Sequence, residues 1–259
     1  MKSKKPLILV VNDDGINAPG IQYLVSFVKS FGEVIVIAPD KAQSGMGHAI
    51  TMSKPLRLKK AGYIHGVEVY SCSGTPVDCI KFGTKVLAKN RKIDLVVSGI
   101  NHGLNSSINV IYSGTMSAAV EGALEGGSSV GFSLDNHSFD ADFSACENIV
   151  HTVVKFLLDQ PKEDRYCLNV NVPNVPKEEL KGMKICRQAK AYWDERFIER
   201  KDPFGDTYYW LTGDFVYLDK GEDTDIWALK NKYVSIVPTK FDLTDYKSIT
   251  ALKDVYEFA

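Results

Sequence analysis

Two adjacent carboxylates, Asp13 and Asp14, follow directly on the apolar run Leu7–Val11, with Asn12 before them and Gly15 after them. In isolation such a pair is a solvated turn, because Asp and Asn hydrogen-bond to their own backbone. At the end of a buried strand, beside other oxygen donors, it is a seat for a hard cation such as Mg²⁺, Mn²⁺ or Ca²⁺, and such a cation bridges to phosphate. Other donors do recur at matching places. Asp40, Gln43, Ser44, Gly45 and Gly47 follow a second apolar run, Glu33–Ala38, and Gly99, Asn101, Gly103 and Asn105 follow a third, Ile93–Ser98. In open parallel sheets ligands bind outside the carboxyl ends of strands, so three polar strand ends favour the cation reading. No His and Cys cluster accompanies them, which argues against zinc.

Phosphate-binding groups are also present. Tyr112-Ser113-Gly114-Thr115 stands just before a helical pattern, where amides and hydroxyls can cradle an anion at the positive end of the helix dipole. Gly74 and Thr75 precede another. Several residues have plainer readings. Gly15, Gly20, Gly45 and Gly47 suit turn dihedrals, His48 and His102 suit surface or supporting roles, and Asn169 and Asn171 share one strand face and suit buried hydrogen bonding.

The elements that must position these groups read as α/β. Pro6–Val11 is continuously apolar, as in a central strand buried on both faces. A helix with Pro19 in its first turn carries Ile21, Leu24, Val25, Val28 and Phe31 at helical spacing and leads to the strand Glu33–Ala38, completing a right-handed βαβ unit. Residues 53–73 predict an edge hairpin, with strands at Leu56–Lys59 and Val67–Cys72. Pro76 opens a helix whose buried face is Val77, Ile80, Val86 and Leu87. Then come the strand Ile93–Ser98, a helix from Met116 to about Glu125 rich in small residues, a strand at Ser128–Ser133, a helix at Asp140–Asp159 and a strand at Cys167–Val172. Beyond Lys181 aromatics and charges dominate. Alternation in Thr207–Thr212 and Phe215–Leu218 predicts a protruding hairpin turning at Gly213-Asp214, whose aromatics need a partner surface.

The 259 residues, 44% of them hydrophobic, suffice for one large domain, here divided into a Rossmann-like core at 1–180 and a C-terminal extension at about 181–259. Lys plus Arg total 31 against 32 Asp plus Glu, a net charge of -1, so neither a nucleic-acid polymer nor an anionic membrane is an expected partner. The short apolar run at the N-terminus is a strand, not a signal peptide. Five cysteines without a C-x-x-C pair suit buried thiols in a reducing compartment, so the expected location is cytoplasmic.

Taken together, Asn12-Asp13-Asp14-Gly15-Ile16, Ala38-Pro39 with Gln43-Ser44-Gly45, Ser73-Gly74-Thr75-Pro76, Ser98-Gly99-Ile100-Asn101 with Gly103 and Asn105, and Tyr112-Ser113-Gly114-Thr115 resemble the SurE family, the stationary-phase survival 5'-nucleotidases. Five motifs in order are far more specific than any one. The resemblance continues more loosely through Asn169–Pro173, Trp210-Leu211-Thr212-Gly213 and Thr224-Asp225. It implies a Rossmann-like, mostly parallel sheet with helices on both faces and a C-terminal hairpin that builds a homodimer or homotetramer. It further implies one divalent cation per subunit, Mg²⁺ or Mn²⁺, held by Asp13, Asp14, Ser44 and Asn101, and hydrolysis of nucleoside 5'-monophosphates, with 3'-monophosphates and short polyphosphate as further substrates. On that basis Asp13 and Asp14 are the expected catalytic pair, orienting or deprotonating water. Asn12, Gly45, Gly74, Thr75, Asn105, Ser113, Gly114 and Thr115 are the expected substrate and phosphate contacts. Met116 stands where the family commonly has a smaller apolar residue, and 193–209 follows no family pattern.

Other chemistries fit less well. A response-regulator receiver also ends its first strand in an acidic pair, but it needs an Asp at the end of the third, where Ser98-Gly99-Ile100-Asn101 stands. A dinucleotide-binding protein needs G-x-G-x-x-G after the first strand, which is absent. A haloacid-dehalogenase-like phosphatase spaces its two Asp residues two apart, and these are adjacent.

Overall fold

A computed structural model describes residues 5–138, 140–161 and 163–256. Along the chain run β1 (Leu7–Val11), α1 (Pro19–Val28), β2 (Glu33–Pro39), β3 (Leu58–Ile64), β4 (Val67–Cys72), α2 (Pro76–Phe82), β5 (Leu95–His102), α3 (Gly114–Leu124), β6 (Ser128–Leu134) and α4 (Glu147–Asp159). They are followed by β7 (Cys167–Val172), β8 (Met183–Ile185), β9 (Ala191–Lys201), β10 (Thr207–Tyr217), α5 (Asp225–Lys230), β11 (Val234–Pro238) and α6 (Tyr246–Tyr256). Nine strands form one sheet in the order β3-β4-β2-β1-β5-β6-β7-β11-β8. From β4 to β7 all neighbours are parallel; β3 runs antiparallel on one edge and β11 antiparallel to β7 near the other.

Alternate residues of β1 serve two helical layers, which is why its sequence is continuously apolar. Ile8 and Val10 pack with α1 and α4 residues such as Ile21, Leu24 and Val150. Leu7, Leu9 and Val11 pack on the other face with Cys79 and Ile80 of α2 and Ala118 of α3. Truncating a fully buried side chain here, as in Leu9→Ala, costs about 2–5 kcal/mol. Met116 is accommodated because Gly131 lies opposite it: a Cβ there would stand 2.5 Å from the Met116 sulfur. All five cysteines are free and buried, as expected of packing thiols. Among the described residues no helix is long and apolar enough to cross a membrane.

Several elements depart from expectation. The helix after Pro76 changes to a wider turn at Gly83–Leu87, and Val86 is exposed rather than buried. Helix α4 begins at Glu147, after a short turn at Ser144–Cys146, instead of at Asp140. The sheet does not end at residue 180: β11 and β8 add its last two strands, because β11 pairs with β7 from Ser235↔Asn171 to Pro238↔Leu168. Gly213-Asp214 is no turn. β10 runs straight through it and pairs with β9 along its whole length, and the chain reverses at 202–206, where Asp202 Oδ1 accepts the N–H groups of Phe204 and Asp206. Gly213 is needed for closeness, since a Cβ would lie 2.7 Å from the Asp194 carbonyl oxygen.

Candidate metal and phosphate site

Loops from the carboxyl ends of β1, β2, β5 and β6 and the N-terminus of α3 surround a cavity of about 390 Å³. Its wall includes Asp13, Ser44, Gly45, Asn101, Asn105 and Ser113. Backbone hydrogen bonds tie these loops together. Gln43 N donates to the Asp13 carbonyl at 2.8 Å, and Gly47 N donates to the Tyr112 carbonyl at 3.1 Å.

Asn12 closes its own loop. Its side chain donates to the Gly15 carbonyl at 2.9 Å and accepts the Gly15 N–H at 3.2 Å, so Asn12 shapes the acidic turn and is not part of the cavity wall. Asp13 is buried against the start of α3. Its Oδ1 accepts the Thr115 hydroxyl, and a Cβ on Gly114 would come within 2.6 Å of the Asp13 Cβ. Burial, and then the neighbouring Asp14 charge, raise the Asp13 pKa from 3.8 to about 6, while the hydroxyl and backbone N–H of Thr115 pull it back. Thr115 therefore acts through Asp13, and the positive end of α3 meets a carboxylate of the chain itself. Asp14 is half-buried. Burial raises its pKa as well, opposed by the backbone N–H of His102, which lies 3.4 Å from Oδ2.

Asn101 spends its Nδ2 on the carbonyls of Gly103, at 2.7 Å, and His102, at 3.4 Å, which leaves the amide oxygen for another partner. Ser44 and Gly45 are exposed on the opposite loop, and Gly45 holds a φ of 74° that favours glycine. Ser113 caps α3, its hydroxyl accepting the Met116 N–H at 3.0 Å. Asn105 is held by a buried amide network. Its N–H donates to Asn171 Oδ1 at 2.8 Å, its carbonyl accepts from Asn169 Nδ2 at 2.8 Å, and its Nδ2 donates to Ser133 Oγ at 2.8 Å. Asn171 and Asn169 are themselves joined at 2.9 Å. The two strand asparagines thus hold the wall without lining it.

Gly74 and Thr75 are not brought to this cavity. Thr75 caps α2 in a reciprocal box with Asp78, and its hydroxyl donates to the Ala49 carbonyl at 2.7 Å, so both of its donors are spent. A Cβ on Gly74 would meet the Asp78 side chain. His48 is tied to Glu121 of α3 at 2.9 Å, and His102 Nδ1 lies 2.9 Å from the Ser138 carbonyl with its ring edge-on to Phe143. The cavity also takes Leu104, Asn109, His137 and Trp193. Asn109 and His137 had no local signal, and Trp193 was visible only as one aromatic among many.

The donor set fits a hard divalent cation. Two carboxylates crowd together, and among the described residues neither forms an ion pair with Lys or Arg. Nor, among those residues, do three His, Cys, Asp or Glu side chains gather as a metal seat, so a cation here draws on hydroxyl and amide oxygens too.

Comparison with known proteins places the chain in a family. The sequence model of the family described as Survival protein SurE matches residues 8–195. A protein of Flavobacterium psychrophilum named 5'-nucleotidase SurE is 54% identical over 251 residues, covering 96% of this chain and 97% of its own. A protein of the same name from Aquifex aeolicus is 41% identical over 252 residues, again covering 96% of this chain and 97% of its own. The crystal structure of the SurE protein from Aquifex aeolicus superposes with a TM-score of 0.82 at 39% identity, covering 96% of this chain and 99% of that one. With its matched region spanning the acidic pair, the amide network and the start of α3, the chain belongs to the SurE family.

Proposed function

We propose that this chain is a phosphomonoesterase that hydrolyses nucleoside 5'-monophosphates to nucleoside and phosphate, with 3'-monophosphates and short polyphosphate as further substrates. The observation that carries the reading is the acidic pair itself: Asp13, raised in pKa by burial and by the neighbouring Asp14 charge, stands on the wall of a polar cavity, Asp14 beside it is raised by burial, and among the described residues neither pairs with Lys or Arg. Asp13, Asp14, Ser44 and Asn101 would hold one Mg²⁺ or Mn²⁺ per subunit. When bound, that cation supplies Lewis-acid polarisation of the phosphoryl oxygens and acidifies water.

The chain's own groups divide the remaining work. Thr115 and Gly114 fix the Asp13 carboxylate, so that its free oxygen keeps one direction. Asp14, less buried, orients the attacking water and accepts its proton. Trp193 Nε1 donates to Asn109 Oδ1 at 2.8 Å, which leaves the Asn109 amide N–H₂ to donate to a phosphoryl oxygen as its charge grows. Ser44, on the facing loop, adds a second donor. The Asn105–Asn169–Asn171 network keeps the intervening wall from relaxing. The protein works in the cytoplasm as a homodimer or homotetramer built through the β9–β10 hairpin, whose exposed aromatics support that reading.

Phosphate release from a panel of nucleoside 5'- and 3'-monophosphates tests this, using metal-free protein and then added Mg²⁺ or Mn²⁺. Metal-dependent release that collapses in a folded Asp14→Asn variant is the expected result. No release with any metal, or full activity in the variant, would overturn it.

A further inference from the structure

A second cavity, of about 470 Å³, opens beside the first. The two share Leu104, Asn109, His137 and Trp193, so they are neighbouring compartments on either side of one wall. Their chemistry differs. The second is walled by Trp193, Phe215 and Tyr217 from the root of the β9–β10 hairpin and by Ile226 and Leu229 of α5. Trp193 and Phe215 meet edge to face with centroids 5.2 Å apart, and Lys230 Nζ lies 3.6 Å from the centre of the Tyr217 ring. Trp193 and Tyr217 each remain 40% exposed, so part of each side chain is left open by the described residues.

We propose that this aromatic cavity is the nucleobase subsite, which rests on the reading of the first cavity as the phosphate site. A nucleoside monophosphate is polar at one end and flat and aromatic at the other, and the paired cavities repeat that order. The hydrogen bond from Trp193 to Asn109 couples the two ends: the residue that faces the base also sets the amide that faces the phosphate. Rings and aliphatic side chains supply stacking and apolar contact here, while Ser106, Asp135, His137 and Lys230 add polar groups to the same wall. Stacking tolerates any base, so the rings favour purines over pyrimidines by area. Phe215, Tyr217, Ile226, Leu229 and Lys230 all lie beyond residue 195, where the match to the family model ends, so much of this cavity is built outside the region which that model covers.

Two measurements test the assignment. Adenosine, which has no phosphate and undergoes no turnover, should quench tryptophan emission of the metal-free protein saturably, and the quenching should vanish in Trp193→Phe. Separately, the ratio of kcat/KM for AMP to that for ribose 5-phosphate, which lacks only the base, should fall roughly tenfold in Phe215→Ala, the loss expected for one aromatic stacking contact. No saturable quenching by adenosine, or an unchanged ratio in a variant that is still active, sinks the proposal. Absence of any phosphate release from the wild type counts instead against the phosphohydrolase reading, and the adenosine titration still decides the subsite.

Discussion

The loops at the strand ends and the β9–β10 hairpin use polar and apolar groups in opposite ways. At the strand ends Asn12, Asp13, Asn105, Asn169, Asn171 and Thr115 are buried, and their side chains have named hydrogen-bond partners within a few residues or across the sheet. In the hairpin Phe197 is 70% and Trp210 64% exposed, and the two strands pair chiefly with each other, in a sheet of their own. The first region is rigid because each buried polar group left without a partner costs about 1–3 kcal/mol. The second owes its order to main-chain pairing and leaves its apolar surface for something else. The contrast separates the two tasks, since a cation and a phosphate need fixed oxygens and donors whereas assembly needs area.

The largest expected effect lies at the acidic pair. Asp13→Asn keeps the Thr115 contact but removes a charge, and phosphate release should fall by roughly a thousandfold or more. A variant retaining a tenth of wild-type activity would remove Asp13 from the centre of the site. Stability should move the other way. Because the folded protein holds the Asp13 proton up to about pH 6, against 3.8 ordinarily, it binds that proton more tightly than the unfolded chain. Metal-free protein is therefore most stable, as far as this group goes, below about pH 4; it loses about 3 kcal/mol as pH rises to about 6 and does not regain it above. Thermal melts in chelator should show this fall in the wild type and not in Asp13→Asn, and added Mg²⁺ should restore stability more at about pH 7 than at about pH 5. Equal stabilisation at both would separate the cation from the carboxylate.

Gly114→Ala sets two effects against each other. Helix propensity alone favours the alanine by up to about 1 kcal/mol, but its Cβ would sit 2.8 Å from Asp13 Oδ2, and overpacking costs about 1–3 kcal/mol. The clash wins, so the variant should melt lower and lose roughly tenfold to a hundredfold in activity by displacing Asp13; a more stable, fully active variant would show the α3 contact to be loose. The smallest effect on the fold is expected in the hairpin. Phe197→Glu combined with Trp210→Glu should lower the sedimentation coefficient toward that of one chain while changing unfolding by no more than about 0.5 kcal/mol. A cooperative loss of the whole fold would instead make the hairpin part of the core.

Much of the architecture was legible because burial on two faces leaves a one-dimensional trace. The runs at Leu7–Val11, Glu33–Ala38 and Cys167–Val172 are apolar or small enough to be strands, and their polar successors mark where a ligand would lie. Asp13, Ser44, Asn101 and Asn105 were reachable from that logic. Gly213-Asp214 misled, because a glycine admitted by close approach of a neighbouring strand has the same letter as one required by a turn. Gly74 and Thr75 misled similarly, since a helix start that caps itself with Asp78 looks the same in sequence as one waiting for phosphate.

By itself, then, the sequence determined that a central parallel sheet would present an acidic pair with hydroxyl and amide donors at its strand ends, since residue type and period depend only on local burial. The tertiary structure alone decided that Thr115 grips Asp13, that Asn171 and Asn169 hold Asn105 from 64 or more residues away, and that Trp193 and Phe215 face the same cavity system as Asn109. Those contacts join segments far apart in the chain, and no local spacing encodes which distant side chain will complete a hydrogen bond or close a wall.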